Sequence, residues 1–285
     1  MGKIDGRRVA IFGATGGIGE ELCRYILVGG GVLIMVGRSE EKLQALQEIL
    51  QKEFPNAQSS YILCELEEME SVENVCKELR EKDVDILIHN AGAYSIPRRI
   101  CDTGYDNVYQ INFVSPYYIT RQLLSHLEEK NGIVVTVGSI AHNYSRTDEK
   151  DWEFSMRTRA SLVYGNAKRQ LMFAVMRLAS EFPKVNFAIT HPGITFTNIT
   201  NHYPKWIFFL IKNPMKVIFM KPKKAALSIL QGVFETTGED EWIGPRWFNV
   251  WGGPSKKRLH TCREDEKSRI DDNAKKIYEH LIAKR

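Results

Sequence analysis

Long apolar runs are missing from this 285-residue chain: no window reaches the length of a membrane span, and Met1-Gly2-Lys3-Ile4-Asp5-Gly6 holds no apolar targeting region. A soluble, cytoplasmic protein is therefore expected. Cysteine is sparse as well. The five (Cys23, Cys64, Cys76, Cys101 and Cys262) form no Cys-x-x-Cys pair and no metal-ligand spacing, so reduced thiols and no metal centre are expected. Charge of one sign is also lacking. A net charge of +4, with Lys and Arg spread rather than striped, argues against nucleic acid as a partner. Repeats and low-complexity linkers are absent, so residues 1–285 are expected to form one domain. What remains is ordinary for a globular protein, with 43% hydrophobic and 26% charged residues and length enough for a sizeable core.

The N-terminal region carries an apolar run, Val9-Ala10-Ile11-Phe12, then Gly13-Ala14-Thr15-Gly16-Gly17-Ile18-Gly19, then a helical pattern through Ile18, Leu22, Tyr25 and Ile26. Strand, glycine-rich turn and helix together point backbone N–H groups and a helix N-terminus at a phosphate. Turns also use glycine for steric reasons alone. The early position, directly between strand and helix, favours nucleotide binding. A second strand, Val32–Val36, ends in Gly37-Arg38-Ser39, where such a site holds the adenosine ribose. An acidic residue there accepts from the 2′-hydroxyl, whereas Arg accommodates a 2′-phosphate. Arg38 therefore favours NADP(H) over NAD(H), and Ser39 also suits the cap of a helix running to Phe54. Further strands at Ser60–Cys64, Asp85–Ile88, Ile133–Val137 and Val185–Thr190 alternate with helical stretches. These include Met69–Lys82, about Tyr105–Asn112, Phe113–Lys130 and Leu162–Phe182, a pattern that indicates βαβ units and a doubly wound, mostly parallel α/β sheet.

Chemistry concentrates between Ile133 and Lys168. The β-branched run Ile133–Val137 delivers Ser139 at its carboxyl end, and Tyr164 and Lys168 fall one turn apart on one helix face. Such a pair occurs on many ordinary helices, with Lys solvated and Tyr packed. Chemically, an ammonium beside a phenol favours the phenolate and is expected to lower its pKa from about 10 towards the range of a general acid/base.

Taken together these motifs resemble the short-chain dehydrogenase/reductase superfamily. The loop Gly13–Gly19 is similar to that family's cofactor loop, and Asn90-Ala91-Gly92 to its sheet-stabilising motif after the fourth strand. Asn112, Ser139, Tyr164 and Lys168 match its catalytic tetrad, and His191-Pro192-Gly193-Ile194-Thr195-Phe196-Thr197 its Pro-Gly segment. The resemblance covers about residues 7–250 and implies a Rossmann-type fold with a sheet of about seven strands and helices on both faces. It implies Tyr164 as acid/base, Lys168 lowering its pKa and holding the nicotinamide ribose, Ser139 orienting the carbonyl, and Asn112 supporting a water relay. Cofactor contacts are expected from Gly13, Thr15, Gly16, Gly17, Ile18, Gly19, Arg38, Ser39, Glu65, Leu66, Asn90, Ala91, Gly92, Tyr164, Lys168, Pro192, Gly193, Ile194 and Thr197.

Three positions depart from the family pattern. Phe12 stands where Thr is usual, Glu65 where Asp is usual, and His89 where Asn is common. The polar insert His142–Arg159 lengthens the interval from Ser139 to Tyr164 and is similar to the retinol-dehydrogenase-like branch, whose substrates are lipophilic carbonyls and alcohols. Apolar runs Trp206–Ile211 and Val217–Met220, punctuated by lysines, are read as short core helices or as a lid (about 195–222) that touches a membrane surface through 204–221. Pro222–Glu235 is expected as a helix, Trp242–Val250 as a last strand, and 263–283 as a solvated surface helix with a narrow apolar stripe. The reading is an NADP(H)-dependent carbonyl reductase or alcohol dehydrogenase, with a homodimer or homotetramer expected by analogy. An NAD-linked alcohol dehydrogenase and a cofactor-binding scaffold without turnover stay open as alternatives.

Overall fold

A computed structural model describes residues 4–144, 146–194 and 220–284. Alternation of strand and helix produces β1 (Arg8–Phe12), α1 (Gly17–Val28), β2 (Val32–Gly37), α2 (Glu40–Glu53), β3 (Ser59–Leu63), α3 (Met69–Glu81) and β4 (Ile86–His89). A short α4 (Asn107–Tyr109) widens into a π turn (Gln110–Val114) and continues as α5 (Ser115–Glu129). After β5 (Ile133–Val137) and a 3₁₀ turn (Ile140–Asn143) come α6 (Ala160–Glu181), β6 (Asn186–Thr190), α7 (Pro222–Phe234), β7 (Glu241–Trp247), β8 (Trp251–Arg258) and α8 (Glu264–Ala283).

The strands form one eight-stranded sheet in the order β3-β2-β1-β4-β5-β6-β7-β8. Neighbours from β3 to β7 pair in parallel and β8 runs antiparallel to β7. Successive strand residues face opposite sides. Val9, Ile11, Leu33 and Met35 bury beneath α1, α2 and α7 on one face. Ala10, Phe12, Ile34 and Val36 bury beneath α3, α5, α6 and α8 on the other. Each fully buried Leu, Ile or Val contributes about 1.5–3 kcal/mol over its exposed state, which is what holds helices on both faces. The order in which strands are added reverses between β1 and β4, and the carboxyl ends of the strands at such a switch point are the position where open α/β sheets form a crevice and take ligands.

The structure departs from sequence expectation in three places. The two helices expected around Asn112 are one continuous rod. Pro116 has no N–H to close on the Asn112 carbonyl, and the rod widens so that the Ser115 N–H reaches the Gln110 carbonyl. The eighth strand was not anticipated, because Trp251-Gly252-Gly253-Pro254-Ser255-Lys256-Lys257-Arg258 is poor in strand formers. It is tolerated because it is an edge, where Pro and Lys are compatible with unpaired backbone. Finally, α6 is buried all round from Gly165 to Met176 rather than on one side, since α8 lays Ile270, Ala274, Ile277 and Leu281 over it. The segment read as a lid or membrane contact lies almost entirely outside the described residues, and so does Thr197. Its two flanks meet, with the Met220 N–H on the Ile194 carbonyl at 2.9 Å.

Candidate active site

The glycine loop lies where β1 meets α1, and its glycines are there for space. At Gly19 a Cβ would lie 2.1 Å from the Gly13 carbonyl oxygen, so only glycine lets α1 pack this close to β1. Gly13 has φ +76°, and a Cβ there would meet the Ala91 backbone at 2.9 Å. Asn90 braces the loop from β4, donating through Nδ2 to the Gly13 carbonyl at 3.2 Å. Gly16 caps α1 without a side-chain hydrogen bond, and Gly16 and Gly17 are exposed above the buried Ile18 and Gly19. A bare helix N-terminus thus faces the crevice, with Thr15 beside it. This arrangement fits a pyrophosphate.

Arg38 is exposed at the carboxyl end of β2, and Ser39 caps α2 by accepting from the Lys42 N–H at 3.4 Å. Leu66 follows β3 and is buried, with its carbonyl accepting from Gln110 Nε2 (3.2 Å) and Ser115 Oγ (2.6 Å). Glu65 donates its backbone N–H to Ser71 Oγ at 3.0 Å, so this turn is held from both sides. Pro192, Gly193 and Ile194 leave β6 at the same edge. Gly193 has φ +84° and is closely packed between Met220, Pro245 and Val250, each 3.0 Å from where a Cβ would lie.

The four residues matched to the tetrad come from three segments, the π turn, the 3₁₀ turn and α6, that converge on the carboxyl ends of β4 and β5. Asn112 sits in the π turn and is completely buried. Its amide holds the loop after β4, donating to the Ala93 carbonyl (2.8 Å) and accepting from the Ala93 N–H (3.2 Å), with a further bond to the Val108 carbonyl (2.8 Å). A Cβ at Gly92 would lie 2.9 Å from Asn112 Oδ1 and 3.5 Å from Lys168 Nζ, which locates all three residues at one point. The Lys168 ammonium donates to the Val137 carbonyl at 3.1 Å and lies 6.0 Å from the centre of the Tyr164 ring. Ser139 opens the 3₁₀ turn, its Oγ accepting from the Ala141 N–H at 3.2 Å while hydrogen-bonding Tyr164.

Electrostatics here differ from the expectation drawn from spacing. Burial pushes the Tyr164 phenol up to about 12, the Ser139 hydrogen bond pulling the other way, and Lys168 does not lower it. Burial lowers the Lys168 ammonium itself to about 8. Desolvation penalises both charged forms, so the phenol is neutral near pH 7.

Several neighbours escape a reading of motifs. Gly165 follows Tyr164 inside α6. A Cβ there would lie 2.2 Å from the Ala141 carbonyl oxygen, so the turn carrying Ser139 is pressed directly against the helix. A glycine in a helix interior is the only sequence signal of this contact. Tyr94 packs edge-on to Tyr164 at 5.4 Å. Phe12 and His89, two departures from the usual pattern, are paired across β1 and β4 and stack at 5.1 Å.

With this geometry in view, comparison with known proteins is decisive at the level of the family, since the short chain dehydrogenase family matches residues 7–207. The chain belongs to that family of oxidoreductases. Polyprenol dehydrogenase from Homo sapiens is 25% identical over 266 residues, 89% of this chain and 79% of that protein. A chloroplastic short-chain dehydrogenase from Brassica napus is 25% identical over 217 residues, 70% of this chain and 68% of that protein. Among solved structures, an uncharacterised protein from Mycobacterium paratuberculosis superposes with a TM-score of 0.75 at 21% identity, covering 97% of this chain and 94% of that one. A short-chain dehydrogenase from Sphingobium yanoikuyae, in complex with NADPH, superposes at 0.60 with 18% identity, covering 95% and 93%. Both structures share the fold. Among the described residues, no helix is long and apolar enough to cross a membrane.

Proposed function

We propose that this protein is an NADP(H)-dependent oxidoreductase that interconverts a lipophilic carbonyl compound and its alcohol, with Tyr164 as the group that moves the proton. The observation that carries this reading is the convergence of Gly92, Asn112 and Lys168 on one point, with Tyr164 and Ser139 alongside, at the rim of the crevice. The nicotinamide cofactor, when bound, supplies or accepts the hydride.

The chain's own residues divide the remaining work. Gly13, Thr15, Gly16, Gly17, Ile18 and Gly19 would cradle the pyrophosphate at the α1 N-terminus. Arg38 and Ser39 would take the ribose 2′-phosphate, and Glu65, Leu66, Asn90, Ala91 and Gly92 would border the adenine and its ribose. Lys168 would hold the nicotinamide ribose, with Pro192, Gly193, Ile194 and Thr197 along the nicotinamide edge. Ser139 and Tyr164 would hydrogen-bond the substrate oxygen, and the neutral phenol suits donation to a developing alkoxide, which is the reductive direction. Asn112 would fix the loop that positions Lys168.

A lipophilic substrate is supported by the name of the human relative, polyprenol dehydrogenase, and by the apolar sequence between Ile194 and Met220, whose flanks are joined beside the crevice. The same reading takes residues 1–285 as one domain, the location as cytoplasmic and contact with a membrane surface as running through 204–221. A homodimer or homotetramer would have to use a face other than α6, which α8 covers.

The test is NADPH oxidation across ketones, aldehydes, retinoids and steroids, with NADH in parallel. Expected are turnover of lipophilic carbonyls, weaker binding of NADH, and a loss on the order of 10²–10⁴ in turnover for Tyr164→Phe with cofactor affinity retained. Tighter NADH binding would overturn the role of Arg38. Cofactor binding without turnover of any carbonyl would favour a scaffold.

A further inference from the structure

Arg169 follows Lys168 in sequence and is 1% exposed, a charge that needs compensation inside the protein. Glu266, in the first turn of α8 and 4% exposed, provides it. Its Oε1 accepts from Arg169 Nε at 2.8 Å and its Oε2 from Arg169 Nη2 at 2.7 Å, a two-pronged contact. The rest of the guanidinium reaches backbone: Nη1 donates to the His142 carbonyl at 3.1 Å and Nη2 to the Thr261 carbonyl at 2.6 Å. Glu266 Oε1 also accepts from the Thr147 N–H at 3.0 Å.

His142 carries the chain of contacts to Ser139. Its Nδ1 lies 2.5 Å from the Ser139 carbonyl and its Nε2 3.0 Å from Thr261 Oγ1. A carbonyl only accepts, so Nδ1 bears the proton and Nε2 accepts from the Thr261 hydroxyl. The His142 backbone N–H also donates to the Ser139 carbonyl, at 3.1 Å. Ser139, Ala141 and His142 are therefore held on one side by Gly165 and on the other by Thr261, Arg169 and Glu266.

We propose that Arg169, Glu266 and His142 are positioning residues: they form a clamp through which the C-terminal helix α8 fixes the Ser139 turn, and so the Ser139 hydroxyl, against Tyr164. This rests on the oxidoreductase reading above and extends it to a segment some hundred residues from the tetrad. Since α8 begins at Glu264, the contact ties the end of the chain to the catalytic turn.

Removing one partner would strand a buried charge and risk unfolding, whereas replacing both with apolar residues of similar size removes the clamp and keeps the packing. The test variant is therefore the double substitution Arg169→Met with Glu266→Leu, accompanied by Thr261→Val, which deletes only the hydroxyl that faces His142. Turnover per folded molecule at saturating NADPH and ketone is expected to fall roughly tenfold in the double variant and less in Thr261→Val. The KM for NADPH should stay within about twofold, because the cofactor loop is untouched. Amide hydrogen exchange at Ala141 and His142 should accelerate in both variants. A merely structural pair would lower the melting temperature and leave turnover per folded molecule intact, which overturns the proposal, and so does unchanged exchange at Ala141 and His142. If the wild-type protein turns over no carbonyl, the oxidoreductase reading fails, and the exchange measurement alone then decides the clamp.

Discussion

At Lys168 and Tyr164 one physical effect acts in opposite directions. Desolvation raises an acid and lowers a base, and here it sets the phenol at about 12 and the ammonium at about 8. Across neutral pH the pair is a neutral phenol and a charged amine, the state suited to donating a proton to a carbonyl oxygen while holding ribose hydroxyls. The first group to change as pH rises is Lys168, not Tyr164. A plot of kcat/KM for carbonyl reduction against pH is thus expected to be flat below about 8 and to fall above it. Lys168→Arg keeps its charge throughout and should move that inflection out of range, whatever it costs in rate. A wild-type profile flat to pH 10 would show that the amine keeps its proton and that the pair is not set by burial. Phe12 and His89 give a gentler instance of coupling. Each looks like an isolated departure in the sequence, yet they occupy partner positions in the β1–β4 register and stack, so the two changes are one.

Elements show the same interplay at larger size, and Gly165 is where it is most exposed to test. Glycine inside an exposed helix is ordinarily worse than alanine by about 1 kcal/mol. In α6 the sign should invert, because the new methyl would meet the Ala141 carbonyl at 2.2 Å and that oxygen is backbone. Gly165→Ala is expected to lower the melting temperature and to cut turnover by displacing Ser139, while NADPH binding, measured by fluorescence titration, persists. Gains in stability with normal turnover would mean the Ser139 turn can retreat freely. The Tyr164–Lys168 pair and the glycine loop were legible beforehand because local spacing expresses them, the pair by a helical turn and Gly13 to Gly19 by the strand-to-helix join, whereas Asn112 entered only through the family resemblance. What stayed hidden depends on contacts distant in sequence. Thr261 and Glu266 lie about a hundred residues beyond His142 and Arg169, and a charged tail helix reads as solvated until its Ile270, Ala274 and Ile277 are found beneath it. The edge strand β8 was hidden differently, since its residues suit an edge and are poor strand formers elsewhere.

For the molecule as a whole, burial of neutral histidines sets the acid limit. His89, against Phe12 and Thr120, is lowered to about 3, chiefly by desolvation. His142 and His191, which flank Trp242 at 5.3 and 5.0 Å, are each lowered to about 4 for the same reason. All three titrate near 6.5 once unfolded, so between that value and their folded ones the unfolded chain binds more protons. Their contribution is complete above pH 6.5 and is lost as pH falls towards 4, by up to about 1.4 kcal/mol per pH unit for each histidine. Against a total stability of roughly 5–15 kcal/mol, that is enough to unfold the protein in mild acid. The urea midpoint followed by circular dichroism should therefore drop steeply from pH 6.5 to 4, and His89→Gln should reduce the slope by about a third, even though it weakens the protein at pH 8. Carboxylates held low by ion pairs, such as Glu266, lowered from 4.5 to about 2 against its own burial by the Arg169 hydrogen bonds, begin to lose their contribution only at the bottom of this window and lose most of it below. A midpoint constant down to pH 4, with loss beginning only there, would place the acid sensitivity on carboxylates and contradict the burial of these rings.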